Sequence, residues 1–78
     1  MTTSQDTALD ALEKGYPVIG GETGHILALL PVSEEQKAQG YKFAILDSAR
    51  GHSGLYKSVE EANAVVDGNL GFIAIIIP

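Results

Sequence analysis

Two segments of this chain are apolar at almost every position, and they constrain the fold more than any other feature of the sequence. Residues 26–30 and 72–77 do not alternate apolar with polar side chains. Strands of this kind need cover on both faces, from helices, a second sheet layer or another subunit. Burial of one isoleucine is worth roughly 1.5–3 kcal/mol, which favours cover for Ile73, Ile75 and Ile77. We therefore expect a homodimer or a tight protein partner, and we assign these three residues to partner binding.

Local patterns predict eight secondary-structure elements. Five strands follow from β-prone residues bounded by Gly, Pro, Asp or Ser, at residues 16–19, 24–30, 41–46, 54–57 and 70–77. Three short helices follow from capping residues and closing glycines, at residues 6–14, 33–39 and 58–66. The third helix places Val59, Ala62 and Val66 on one face. The order α-β-β-α-β-β-α-β predicts a single α+β domain over residues 1–78, with a mainly antiparallel sheet of four to five strands and two or three short helices.

Charge and composition restrict the classes of partner. Ten acidic and five basic residues give a net charge of -5, which disfavours contact with nucleic acid or an anionic membrane and favours a basic protein partner. The absence of cysteine suits a reducing cytoplasm and removes disulfides, thiolate nucleophiles and thiolate metal sites. The N-terminus does not resemble a signal peptide, and the apolar runs are too short to span a bilayer. We expect a cytoplasmic protein without cofactor, metal site or membrane contact.

The residues most typical of a functional site are His25 and Asp47. His25 follows Gly24 at the start of the second predicted strand, and Asp47 directly follows the third. An imidazole can act as a general base, and a carboxylate can orient it. Each residue also has a simpler structural interpretation, His25 as a backbone-bonded residue at a strand start and Asp47 as an Asx-turn. If the two act together, their strands are antiparallel neighbours and their side chains lie within hydrogen-bond reach.

The segments around these residues resemble the C-terminal, sheet-forming half of papain-like cysteine peptidases, most of all the bacterial double-glycine-leader branch. The resemblance spans about residues 9–77 and is carried by Gly15-Tyr16-Pro17-Val18-Ile19, by Gly24-His25 and by Asp47-Ser48. It implies that His25 is the general base and that Asp47 orients its imidazole. The family's helical half with its Cys nucleophile has no counterpart in this chain, so the resemblance implies no acyl transfer by this chain alone.

The remaining polar residues have simpler interpretations. The pairs Glu34-Glu35 and Glu60-Glu61 begin two predicted helices, where acidic residues suit the helix dipole, and they are candidates for contact with a basic partner. The glycine-rich segment 20–24 leads into a strand and not a helix, so it is not a phosphate-binding loop. Arg50 and His52 can bind an anion, although a flexible hairpin is the simpler account.

These observations favour a small acidic, non-catalytic protein-binding module that acts as an interaction or inhibitory subunit. One alternative is the His/Asp-bearing half of a papain-like peptidase that a Cys-bearing partner completes. Another is a phage-type inhibitor that presents acidic residues to the basic cleft of a nucleic-acid enzyme. Because Ser48 and Ser53 lack the context of a nucleophile elbow, we expect no hydrolysis by this chain alone.

Overall fold

A computed structural model describes residues 2–78, which form one five-stranded antiparallel sheet and three helices. The elements are α1 (Gln5–Glu13), β1 (Val18–Glu22), β2 (His25–Leu30), α2 (Glu34–Ala38), β3 (Phe43–Leu46), β4 (Gly54–Tyr56), α3 (Val59–Asn63) and β5 (Gly71–Ile75). The predicted element order and the α+β class are confirmed. Among residues 2–78, no helix has the length and apolarity needed to cross a membrane.

The strand order is β4-β3-β2-β1-β5, and each neighbouring pair is antiparallel. β1 and β2 form a hairpin in which Glu22 pairs with His25 across the turn at Thr23 and Gly24. Gly24 has φ +70°, a left-handed conformation that glycine adopts without steric cost. The Thr23 N–H donates to the Asp67 carbonyl at 2.8 Å. The tip of the hairpin is therefore tied to the chain that leaves α3.

Three of the five residues of the glycine-rich segment 20–24 belong to a strand, and the other two form the hairpin turn. β1 runs from Val18 to Glu22 and includes Gly20, whereas the predicted strand ended at residue 19. A Cβ atom on Gly20 would lie 3.0 Å from the Gly71 carbonyl oxygen and 3.1 Å from Leu29 Cδ1. Gly20 is thus required for close packing of β1 between its neighbours, and not for a turn.

The core lies on one face of the sheet, beneath α1 and α3. Its buried members are Ala8, Ala11, Leu12, Val18, Leu27, Leu29, Phe43, Ile45, Val59, Ala62, Val66, Leu70 and Phe72. The predicted packing face of the third helix is confirmed, although α3 ends at Asn63, before the predicted residue 66. α2 has no buried residue, and it is held by a capping box in which Ser33 and Gln36 bond reciprocally.

The opposite face of the sheet is apolar and open. The strand register places its residues side by side: Ile19, Ile26, Ala28, Leu30, Ala44, Leu46 and Leu55. We call this set the open face. Ile26 is 67% exposed and Leu46 is 58% exposed, because α1 and α3 pack on the other side of the sheet. An exposed apolar patch of this kind makes the open face a candidate interaction surface.

The apolar sequence of the C-terminal strand predicts that it is buried either centrally in the sheet or at a symmetric interface; β5 is an edge strand, which excludes the central position and leaves the interface a prediction. The local pattern of isoleucines does not encode strand order, and β5 pairs with β1 on one side only. Ile73 is partly exposed, Ile75 packs against the rim of the core, and Ile77 lies beyond the strand and is 72% exposed. Thr3 donates from its N–H to the Phe72 carbonyl at 3.0 Å, which satisfies part of this edge. The assignment of the isoleucines to a partner interface stays a prediction.

Replacement of Gly20 tests the close packing of β1. We expect Gly20→Ala to lower the free energy of unfolding by about 1–3 kcal/mol, because the new methyl group overpacks a fixed backbone carbonyl. Gly21→Ala is the matched control, since its nearest neighbour, at 3.3 Å, is the movable end of Ile73. We expect it to cost less than about 1 kcal/mol. Equal losses in urea denaturation would contradict this account of Gly20.

Candidate functional site

The candidate site lies at the end of the sheet where the β1–β2 hairpin turns. Side chains alternate along a strand, so Glu22 shares the core face with Val18, and His25 shares it with Leu27. β3 is antiparallel to β2, so Asp47, directly after β3, arrives at the same end. The loop between β3 and β4 adds the side chains of Arg50 and His52. We call the five residues the polar cluster: Glu22, His25, Asp47, Arg50 and His52.

His25 and Asp47 are in direct contact, as their proposed partnership requires. His25 Nε2 lies 2.7 Å from Asp47 Oδ1, and β2 and β3 are antiparallel neighbours. The Asp47 side chain is 1% exposed and the His25 side chain 22%. The hydrogen bond from His25 lowers the pKa of Asp47, and with the Arg50 N–H it outweighs the opposing effect of burial.

The charge on Asp47 determines the proton arrangement of His25. An ionised carboxylate only accepts hydrogen bonds, so His25 Nε2 is the donor in this contact. In the neutral imidazole the other nitrogen, Nδ1, then carries the free lone pair. The ring is thus oriented with Nδ1 as its basic atom, which is the arrangement that a general base requires.

Asp47 also organises the loop that follows it. Its N–H donates to Ser53 Oγ at 2.7 Å, and the Arg50 N–H donates to Asp47 Oδ1 at 3.4 Å. Asp47 therefore combines a turn-forming role with the contact to His25. The Ser53 hydroxyl serves as an acceptor within this loop, a structural role that the sequence does not reveal.

Glu22 is the residue of this cluster that sequence reasoning missed. Its side chain is fully buried, and its Oε1 accepts from the Asp67 N–H at 2.8 Å and from Arg50 Nη1 at 3.1 Å. Its Oε2 accepts from His52 Nδ1 at 2.7 Å. Burial alone would raise the pKa of Glu22, but the hydrogen bonds from Asp67, His52 and Arg50 outweigh it and hold that pKa below its ordinary value. The available signal was the alternation of Val18, Gly20 and Glu22 along a strand.

Hydrogen bonds made by Arg50 and His52 hold the β3–β4 loop against neighbouring segments, whereas the sequence indicated a flexible hairpin. Arg50 Nη1 also donates to the Thr23 carbonyl at 2.9 Å, which clamps the hairpin turn. The backbone carbonyl of His52 accepts from Tyr56 Oη at 2.7 Å. Because the guanidinium is engaged with Glu22 and the hairpin, Arg50 contributes to the internal structure of the cluster.

The acidic candidates at the helix starts have local structural roles. Glu34 lies 3.5 Å from Lys37 on the surface of α2, and Glu61 accepts from the Lys57 N–H at the start of α3. Glu35 and Glu60 are exposed in the first turns of the same two helices. These contacts account for the four residues as caps and surface charges, and their assignment to a partner surface stays a prediction.

Comparisons with protein-family models, with curated proteins and with solved structures found no match to this chain. The papain-like resemblance consequently depends on the quoted motifs and on the geometry of His25 and Asp47, and it stays a prediction.

The buried carboxylates predict a characteristic acid sensitivity. The pKa values of Glu22 and Asp47 lie below their ordinary 4.5 and 3.8 in the folded chain, so the unfolded chain takes up protons first as the pH falls. The contribution of these two carboxylates to the free energy of unfolding should therefore be lost as the pH falls from about 5 to about 3. Urea denaturation across this range measures it.

Replacement of a single carboxylate by its amide tests whether the polar cluster causes this loss of stability in acid. Glu22→Gln should be less stable near neutral pH and should lose part of the acid-dependent decline, because the titrating group is gone. Glu34→Gln, at an exposed surface position, should follow the unmodified chain. A Glu22→Gln variant that declines with acid as steeply as the unmodified chain would contradict the assignment.

Proposed function

We propose that this chain supplies the His/Asp half of an acyl-transfer site of papain-like type, which a cysteine-bearing partner completes. The observation that carries the proposal is the 2.7 Å contact between His25 Nε2 and the buried Asp47 Oδ1. The two residues in contact are those to which the family resemblance assigns the base and its orienting group. They come from separate segments, and the fold brings them together.

The chemistry follows from the orientation of the imidazole. Asp47 holds Nε2–H and stabilises the imidazolium that forms when Nδ1 takes a proton. The proton comes from the partner's thiol, and the resulting thiolate attacks a carbonyl carbon to form an acyl-enzyme. Nδ1 then returns the proton to the leaving amine, and water releases the acyl group. A reduced thiol is needed throughout, which favours a cytoplasmic location for the complex.

The open face supports the requirement for a partner. Ile26 directly follows His25, and Leu46 directly precedes Asp47. Alternation along each strand thus places an exposed apolar residue next to each member of the His25–Asp47 pair, on the opposite side of the sheet. A partner that covers this face also lies against the strand ends that position the pair.

A second candidate function is a non-catalytic binding module, acting as an interaction or inhibitory subunit. The specific observation in its favour is again the open face, together with the net charge of -5, which suits a basic protein partner or a second copy of this chain. In this case the His25–Asp47 contact only joins β2 to β3. The two candidates differ in whether His25 has a chemical role.

Reconstitution separates these functions. The purified chain alone should show no peptide hydrolysis, because it contains no thiol. Mixed with a cysteine-bearing helical protein encoded beside it, the chain should hydrolyse peptides, and His25→Ala should reduce the rate by about 10²–10⁴-fold. Asp6→Asn is the control at an exposed position of α1 that is not assigned to the site or to a partner surface, and it should leave the rate unchanged. A complex that forms but has no activity dependent on His25 would favour the non-catalytic module.

Light scattering tests whether the open face binds a second copy. If it does, the unmodified chain has a dimeric mass at high micromolar concentration, and Ile26→Asp gives a folded monomer because this side chain is already largely exposed. Ile77→Asp is the control at a more exposed position outside the open face, and it should stay dimeric. A monomeric unmodified chain would count against the homodimer, and dissociation by Ile77→Asp alone would place the interface at the C-terminal isoleucines.

A further inference from the structure

One carboxylate oxygen of the polar cluster is buried without a hydrogen-bond donor. Asp47 Oδ2 has no hydrogen-bond partner among the described residues, and the Asp47 side chain is almost fully inaccessible. His52 Nδ1 lies 3.2 Å from it, but this nitrogen carries at most one proton, which is directed to Glu22 Oε2 at 2.7 Å. A buried anionic oxygen in this situation is suited to a cation.

The two oxygens of each carboxylate in the cluster have different contacts, and the pattern is the same in Glu22 and Asp47. Each uses one oxygen for donors from the protein: Glu22 Oε1 binds Arg50 and the Asp67 N–H, and Asp47 Oδ1 binds His25. The other oxygen of each is directed toward His52 Nδ1. Metal-binding carboxylates are commonly oriented by outer hydrogen bonds of this kind.

We propose that Glu22, Asp47 and His52 bind one divalent transition-metal ion of the zinc class through Glu22 Oε2, Asp47 Oδ2 and His52 Nδ1. The ligand atoms available from these three residues lie within 4.8 Å of one another. On binding, the ion takes the place of the Nδ1 proton, which moves to Nε2 of the same ring or to solvent. A water molecule completes a four-coordinate site.

The ligand types and distances favour this class of ion. Zinc binds carboxylate oxygen and imidazole nitrogen at about 2.0–2.2 Å, so tetrahedral ligand atoms lie about 3.3 Å apart. The separation of 3.2 Å between His52 Nδ1 and Asp47 Oδ2 already fits, and the 2.7 Å pair with Glu22 opens by about half an ångström to reach it. The carboxylate oxygens of Glu22 and Asp47, which lie within 4.8 Å of each other, take up the same separation when the ion binds. Calcium and magnesium prefer six or more oxygen ligands, often including water, which a site built around an imidazole does not offer.

The site differs from the sequence-based expectation that the chain has no metal site. That expectation depended on the missing cysteines, whereas the proposed ligands are oxygen and nitrogen atoms. A bound ion joins the end of β1 to the β3–β4 loop through the buried Asp47, whose Oδ1 continues to hold His25. Metal binding is a property of this chain alone and does not depend on the proposed acyl-transfer function.

Titration calorimetry of the full chain with Zn²⁺, and separately with Mg²⁺, tests the proposal. We expect one Zn²⁺ per chain and a thermal unfolding midpoint that rises with Zn²⁺ concentration. His52→Gln should weaken Zn²⁺ binding by about 100-fold or more, whereas His25→Gln, which keeps an N–H donor for Asp47 Oδ1, should weaken it by less than about tenfold. The two variants each remove one imidazole, so they form a matched pair.

Imidazole ¹⁵N NMR of the unmodified chain covers the case in which His52→Gln fails to fold. Addition of Zn²⁺ should shift His52 Nδ1 until one equivalent is bound, while His25 Nε2 keeps its proton. The proposal is overturned by no saturable Zn²⁺ binding, by a metal-bound His25, by unchanged affinity in folded His52→Gln, or by Mg²⁺ binding as tightly as Zn²⁺.

Discussion

The buried charge of Glu22 is the constraint on which the rest of the site depends. A carboxylate without donors in this position would be protonated, because burial disfavours its charged form. The Asp67 N–H, Arg50 and His52 supply the donors that keep it ionised. These donors come from the exit of α3 and from the β3–β4 loop, so the need to satisfy one charge sets the position of both segments against the hairpin.

The fold could be predicted from the sequence where the signals are local. Capping at Ser33 and Ser58, and the apolar face of α3, depend on residues a few positions apart. The extension of β1 to Glu22 could not be predicted, because glycine is unfavourable in a strand. The reason for Gly20 is its close approach to Gly71, which lies on a strand distant in sequence. The choice between a central and an edge position for β5 could not be made for the same reason: its isoleucines indicate burial but not strand order.

The site divides in a similar way. The contact of His25 with Asp47 could be anticipated because the two residues mark facing ends of neighbouring antiparallel strands. The roles of Glu22 and His52 could not, since they arise from a loop conformation and from a backbone donor 45 residues away. Glu22, which the sequence assigned to a glycine-rich loop, and His52, which it assigned to a flexible hairpin, are bound to each other.

A partner on the open face, as proposed above, would also affect the geometry of the site on the other face of the sheet. Along β2 and at the end of β3, each residue of the His25–Asp47 pair is adjacent to an exposed apolar residue, Ile26 or Leu46. Strand ends fray when few apolar contacts hold them. A partner on the open face would remove Ile26 and Leu46 from water, and the strand ends would then open less often. The distance between His25 and Asp47 would vary less as a result, so a binding event on one side of the sheet would increase the order of the site on the other.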